Sequence, residues 1–192
     1  MAALMTLSCA WAQNLSKNEA KALNSFLSQT AAKGGNNAEA LKMLGNNVAT
    51  CPGVTVVNGH VTEINWKGKE LAGNLNLTGF TALQKVDVSG NKLASLTLSG
   101  NPALVEINAA KNRLQSVAIT SCPQVQIIRL NKNRLADFDF GSVPLLKKLN
   151  ISGNMLDAID VSNAVNLEYL NCMSNRLQTL NVQGCTQLKS LY

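Results

Sequence analysis

The sequence predicts a solenoid of stacked coils, with a right-handed parallel β-sheet along one face and short extended segments and turns on the other. Three observations predict it. The stretch from Leu83 to Gln187 divides into five units that begin at Leu83, Leu104, Val125, Leu146 and Leu167, each 21 residues long without insertion or deletion. Within a unit the first, fourth, sixth, eleventh, fourteenth and sixteenth positions are almost always aliphatic; in the first unit they are Leu83, Val86, Val88, Leu93, Leu96 and Leu98. The ninth position is asparagine every time, as Asn91, Asn112, Asn133, Asn154 and Asn175. A fixed period of this size marks coils that cannot bury an apolar face alone and must stack on one another.

Composition narrows the function. A chain of 192 residues suits one domain, and 46% hydrophobic against 4% aromatic residues asks for an aliphatic core. The 17 Lys and Arg exceed the 11 Asp and Glu by six, which suits an anionic partner. No clustered base-reading element accompanies that charge, so no nucleic-acid ligand is expected. His60 is the sole histidine, which removes most metal and acid–base constellations. No catalytic residue, cofactor or resident metal is assigned. Asp137, Asp139, Asp157 and Asp160 gather on the second halves of units three and four, but they lack a calcium-loop pattern and read as surface carboxylates.

Taken in order, Met1 to Ala10 is apolar, and Ala10-Trp11-Ala12 before Gln13 fits a small-x-small cleavage site. Residues 1–12 therefore read as the end of a secretory signal peptide without its basic start. Cys9 after Leu7-Ser8 resembles a lipoprotein box, except that Thr6 stands three residues before it, so cleavage ranks above lipidation. No later run approaches the roughly 18 apolar residues that span a bilayer.

Residues 13–60 read as a helical cap followed by a hairpin. Ser16 and Glu19 form a capping box, Leu15 and Ala20 fit a hydrophobic staple, and Ala20, Leu23, Phe26, Leu27 and Ala31 share one helical side until Gly34-Gly35. A shorter helix is expected over Ala38 to Leu44, opened by Asn37 and closed by Gly45. Val54 to Val57 and His60 to Ile64 flank Asn58-Gly59, a type I′ hairpin signal, with His60 at a surface strand end. Residues 61–82 are a degenerate first repeat: Val61, Ile64, Trp66 and Leu71 hold the apolar places, one extra residue near Gly73-Asn74 displaces Leu75 and Leu77, and Lys69 stands for the asparagine. Terminal repeats are atypical because one side meets a cap.

Residues 83–187 are the five regular repeats. A chain turning inward leaves backbone donors and acceptors without partners, and a buried amide carries both kinds. The asparagine column is accordingly structural. Each unit also echoes itself, LQKVDVSGN (83–91) with LASLTLSGN (93–101), so the second half is extended and not α-helical, giving two halves of similar width and a flat stack. Pro102, Pro123 and Pro144 take the twentieth place, where no ladder donor is needed. Residues 188–192 begin a sixth unit and stop, so the natural chain is expected to continue.

Of the cysteines Cys9, Cys51, Cys122, Cys172 and Cys185, the pair Cys122 and Cys185 shares the nineteenth place three coils apart. Strands at about 4.8 Å spacing put them roughly 14 Å apart, beyond the ~7 Å limit of a disulfide. Cys172 takes the sixth place as a small buried hydrophobe.

Across Val61 to Tyr192 the pattern LxxLxVSxNxLxxLDVSxNxx resembles bacterial leucine-rich repeats of the 21-residue, internalin-J-like kind found on surface proteins of Bacteroidetes and Gram-positive bacteria. In that kind a cysteine often replaces the sixth-position aliphatic, as Cys172 does. GVTVVNGHVTEINWKGKELAGNL resembles the N-terminal cap of plant-type repeats, but Val56 stands where a second cysteine belongs, so Cys51 lacks a partner. The resemblance implies a leucine-rich-repeat solenoid with an α-helical N-terminal cap, secreted or on a bacterial cell surface, that binds a host or cell-surface protein or mediates adhesion. It is expected to be no enzyme, although it could serve as the recognition arm of a larger extracellular one.

Two surfaces are candidates. On the main sheet the third and fifth positions face outward, and Ile127, Arg129, Lys148 and Tyr169 with the column Asn108, Asn150 and Asn171 form a candidate protein-binding face. An aromatic and an arginine on a rigid surface are the residue types that anchor interfaces. Along one edge, Lys92, Arg113, Arg134 and Arg176 at the tenth position join Lys111 and Lys132 at the eighth in a basic ridge that would suit anionic glycans.

Overall fold

The structure, a computed structural model, describes residues 15–43, 50–139 and 141–192. The expected signal segment with Cys9, and the Leu44-Gly45 end of the second helix, lie outside the described residues.

Helix α1 spans Lys17–Leu27 and buries Leu23, Phe26 and Leu27. Ser16 is its N-cap residue, yet its side chain makes no capping bond, and this corrects the expected capping box. Glu19 is drawn elsewhere: it is buried, its Oε2 accepts the Val61 amide at 2.9 Å and its Oε1 meets His60 Nδ1 at 3.1 Å. A carboxylate that satisfies a buried backbone donor is worth more here than one reaching back over an exposed helix end. The helix also stops at Leu27, capped by Ser28, well before Gly34. Gln29 turns away to bind the Asn74 amide and carbonyl through its own side chain. Helix α2 covers only Asn37–Ala40; its N-cap is Asn36, which forms the capping box with Glu39. Asn37, expected to open the helix, is instead buried inside it, its amide group tied to Phe26 O, Ala72 O and the Ala72 amide.

The hairpin pairs β1 (Val54–Val57) with β2 (His60–Asn65) through Asn58 and Gly59, whose φ values of 50° and 77° are those of a type I′ turn. The coils then supply β3 (Ala72–Asn76), β4 (Lys85–Asp87), β5 (Lys92–Ser99), β6 (Glu106–Asn108), β7 (Ser116–Thr120), β8 (Ile127–Arg129), β9 (Lys148–Asn150), β10 (Ala158–Asp160), β11 (Tyr169–Asn171), β12 (Thr179–Asn181) and β13 (Ser190–Leu191). The main sheet runs β1-β2-β4-β6-β8-β9-β11-β13 and is parallel from β2 onward. The second halves pair separately, as β3-β5-β7 and as β10-β12. A register shift at Gly73/Asn74 absorbs the extra residue of the first coil. The third unit is the exception to the extended second half: its described residues after Leu135 form no strand, which splits the second face in two.

Inside, the aliphatic rows are closed. Leu83, Val86, Val88, Leu93 and Leu98 are fully buried and Leu96 nearly so, each contributing about 1.5–3 kcal/mol. Phe26 of α1 stacks on Trp66 with ring centres 5.5 Å apart. The rows open in the last coil, where Leu180 is 38% exposed.

The asparagine column joins coil to coil. Asn133 Nδ2 donates to Leu130 O in its own coil at 2.8 Å and to Ala109 O in the coil before at 3.0 Å, while its Oδ1 accepts the Leu114 amide at 3.1 Å. Asn112, Asn154 and Asn175 repeat that set. Asn91 does the same toward the degenerate coil and also accepts the amide of Lys69, where the asparagine is missing. The nineteenth position forms a second buried column of Asn101, Cys122, Val143, Ala164 and Cys185. Here only Asn101 spans coils with an amide, donating to Leu77 O and Phe80 O. Cys51, Cys122, Cys172 and Cys185 are all free thiols.

Candidate functional site

The main-sheet strands β4, β6, β8, β9 and β11 are each three residues long, and the central residue of each points into the core. The flanking third and fifth residues therefore face out together. Because the register is one to one, Lys85, Glu106, Ile127, Lys148 and Tyr169 form one row, and Asp87, Asn108, Arg129, Asn150 and Asn171 the other.

The rows differ in what they leave free. In the fifth-position row Asp87, Asn108, Asn150 and Asn171 each use Oδ1 to accept the backbone amide two residues on, a side-chain turn that closes the strand end. The candidate column Asn108, Asn150 and Asn171 is thus bound first to its own backbone. Asn108 Nδ2 is also engaged, donating to Asp87 Oδ2 at 3.0 Å, and Asn171 Nδ2 reaches Tyr169 Oη at 3.4 Å. Arg129 pairs with Glu106 one coil earlier, and Lys85 meets the same carboxylate at 3.4 Å. Burial pushes the Glu106 carboxyl up, but the hydrogen bond from Arg129 and the two cations outweigh it and hold it below its ordinary value.

What remains unengaged is compact. Lys148 stands between Ile127 and Tyr169 in one row, beside the Asn150 amide nitrogen; neither makes a side-chain hydrogen bond among the described residues, although the Lys148 charge acts on the Glu168 carboxylate from a distance. Ile128, Arg129, Lys148, Asn150 and Tyr169 line a shallow depression of about 270 Å³. Tyr192 extends the aromatic side, its ring 5.7 Å from that of Tyr169. Sequence reasoning missed Tyr192 and the Glu106–Arg129 pair, although the signal was present: Tyr192 is the fifth residue of a sixth unit, and Glu106 and Arg129 sit diagonally in adjacent units. A larger hollow of about 550 Å³ is lined by residues within 31–42 and by Gly68, Lys69 and Glu70, and the exposed Lys33–Glu70 ion pair at 3.5 Å is part of that lining.

The ridge residues follow β4, β6, β8 and β11; Lys92 is the first residue of β5, and the others lie outside the strands. Lys111, Arg113, Lys132, Arg134 and Arg176 are exposed and Lys92 is half-buried. Among the described residues none of the six has a carboxylate within 4 Å. The aspartates of units three and four form no group of three or more metal-ligating side chains among the described residues; Asp139 and Asp160 bind the Gly141 and Ser162 amides.

No family model matches this sequence, and no curated protein matches it either. Solved structures do. The functional domain of InlJ from Listeria monocytogenes, which includes a cysteine ladder, aligns over 80% of this chain with 27% identity and a TM-score of 0.57. The ectodomain of the Arabidopsis receptor kinase HAESA, in complex with an N-terminally extended IDA peptide hormone, aligns over 91% with 17% identity and a TM-score of 0.65. The fold is a leucine-rich-repeat solenoid. The leucine-rich-repeat ectodomain of SOBIR1 from Arabidopsis thaliana is similar in extent as well, covering 87% of this chain and 97% of its own at 18% identity and a TM-score of 0.59. By contrast, this chain spans about a third of the InlJ and HAESA chains, 34% and 32%. No described helix is long and apolar enough to cross a membrane.

Proposed function

We propose that this chain is a secreted or cell-surface binding module that recognises a protein through the outer face of its main sheet, with the contact centred on Ile127, Lys148, Asn150 and Tyr169. One observation carries the reading: a half-buried isoleucine, an exposed ammonium and a half-buried tyrosine follow one another in a single strand row, beside a depression and an amide nitrogen without a hydrogen bond among the described residues. Rigid aromatic and aliphatic groups supply contact area at little entropic cost, and one desolvated cation supplies orientation. Arg129, which shares Glu106 with Lys85, lines the depression. HAESA, whose ectodomain shares the fold, forms a complex with a peptide hormone, which makes a peptide the first ligand to test.

Selection of a random peptide library on the immobilised chain tests it. Binders are expected to carry a carboxylate near an apolar residue and to lose at least tenfold in affinity on Tyr169→Ala and on Lys148→Glu, with the circular dichroism of both variants unchanged. Binders that ignore both substitutions overturn the assignment of this face.

A further inference from the structure

The turn edge is independent of the sheet face and carries a different chemistry. Successive coils are in direct backbone contact there: the Lys111 amide donates to Asn131 O and the Lys132 amide to Ser152 O, both at 2.8 Å. The cations of the eighth and tenth positions therefore recur at the pitch of the coil, about 4.8 Å. Lys85, Arg129 and Lys189 each have a carboxylate partner, whereas the ridge cations have none among the described residues.

The backbone supplies a second observation. The eighth position is left-handed in every coil, and in Gly68, Gly90 and Gly153 (φ 64°, 70° and 67°) glycine meets that demand without strain. Lys111, Lys132 and Ser174 hold the same conformation at φ 57°, 60° and 56°. All three side chains are exposed, so none gives the core anything that offsets the strain. The coil itself imposes the conformation, and Lys111 and Lys132 differ from glycine and Ser174 at that place in projecting a charge outward from it. Lys111, Arg113, Lys132 and Arg134 place four cations in two adjacent coils, and the row thins at Gly153 and Met155.

We propose that this edge binds a linear anionic polysaccharide laid along the solenoid axis, its sulfate or carboxylate groups meeting Lys111, Arg113, Lys132 and Arg134 on successive coils. A sugar residue is about as long as one coil is deep, so charge can meet charge without bending either partner. Duplex nucleic acid, with a charge per ~1.7 Å of axis around a broad cylinder, is too wide for a ridge one or two side chains across. Single strands bind through stacked aromatics, and the eighth and tenth positions hold none.

Calorimetric titration of the full chain with a size-defined heparin hexasaccharide tests the proposal. Saturable binding is expected at physiological ionic strength, weakening steeply with added salt. The double variant Lys111→Gly with Lys132→Gly, which the left-handed backbone accepts, should lose at least tenfold in affinity without any fall in Tm, and Arg113→Gln with Arg134→Gln should lose as much. Lys17→Gln with Lys21→Gln, on α1, should change affinity by less than twofold. Absence of saturable binding, an unaltered affinity in either ridge variant, or an equal loss in the α1 variant overturns the proposal. So does tighter binding of an oligothymidylate or of phosphatidylserine vesicles than of the hexasaccharide.

Discussion

Asn133→Leu removes one rung from the middle of the asparagine column while keeping side-chain volume, so no cavity is opened. Three bonds go. The Leu114 amide loses its acceptor at 3.1 Å, and a buried donor without a partner costs about 1–3 kcal/mol. Ala109 O and Leu130 O each keep one other asparagine donor, Asn112 and Asn154 respectively, so each loss there is an ordinary net bond of about 0.5–1.5 kcal/mol. The expected destabilisation is about 2–6 kcal/mol. Urea unfolding followed by far-ultraviolet circular dichroism reads it, and Asn175→Leu provides the internal control. Asn175 is half-buried at the last described coil, where water can take over the freed groups, so the same chemical change should cost less than half as much. A loss below about 1 kcal/mol at Asn133, or equal losses at the two sites, would refute the reasoning that the column satisfies buried backbone.

Two further outcomes follow from the same coordinates. Gly153→Ala should destabilise by about 1–2 kcal/mol from its left-handed backbone alone, because the nearest atoms to an added Cβ are at 3.6 Å, in ordinary contact; the check is the urea midpoint, with Gly153→Asn, which tolerates that conformation better, expected to recover part of the loss. Burial pushes the Cys51 thiol up to about 11, against an opposing hydrogen bond from Trp66. The folded protein keeps that proton where the unfolded chain releases it, so stability should fall as pH rises from about 9 towards 11, and the alkaline slope should be shallower in Cys51→Ala.

How much was legible depended on whether a residue answers to its own coil or to a distant one. The period, the aliphatic rows and the asparagine places were readable because every coil faces the same problem and solves it with the same residues. Glu19 was not, because its partners lie 41 and 42 residues away and the local capping pattern with Ser16 competes on paper with a stronger non-local bond. The capping role fell to Asn36 and not Asn37 for the same reason: a capping side chain and a buried bridging one look alike in sequence until the Ala72 backbone is in place. On the sheet face, the outward residues followed from strand alternation, but their availability did not. Asn108, Asn150 and Asn171 look like free amides in a row, yet each closes its own turn, and Arg129 looks like an anchor until the coil register sets it on Glu106. Lys148 was one name among seven; the neighbours' pairing is what singles it out.

The central claim is that coils stack in register and that buried asparagines carry the backbone bonds between them. Amide hydrogen exchange at Leu114 and Leu135 tests it most directly. Neither residue lies in a strand, and each amide donates to the asparagine side chain of the following coil at 3.1 Å. The account predicts exchange only through global unfolding, with protection matching the free energy from urea. Exchange at these two amides as fast as in the exposed turn at Ala136 would contradict it.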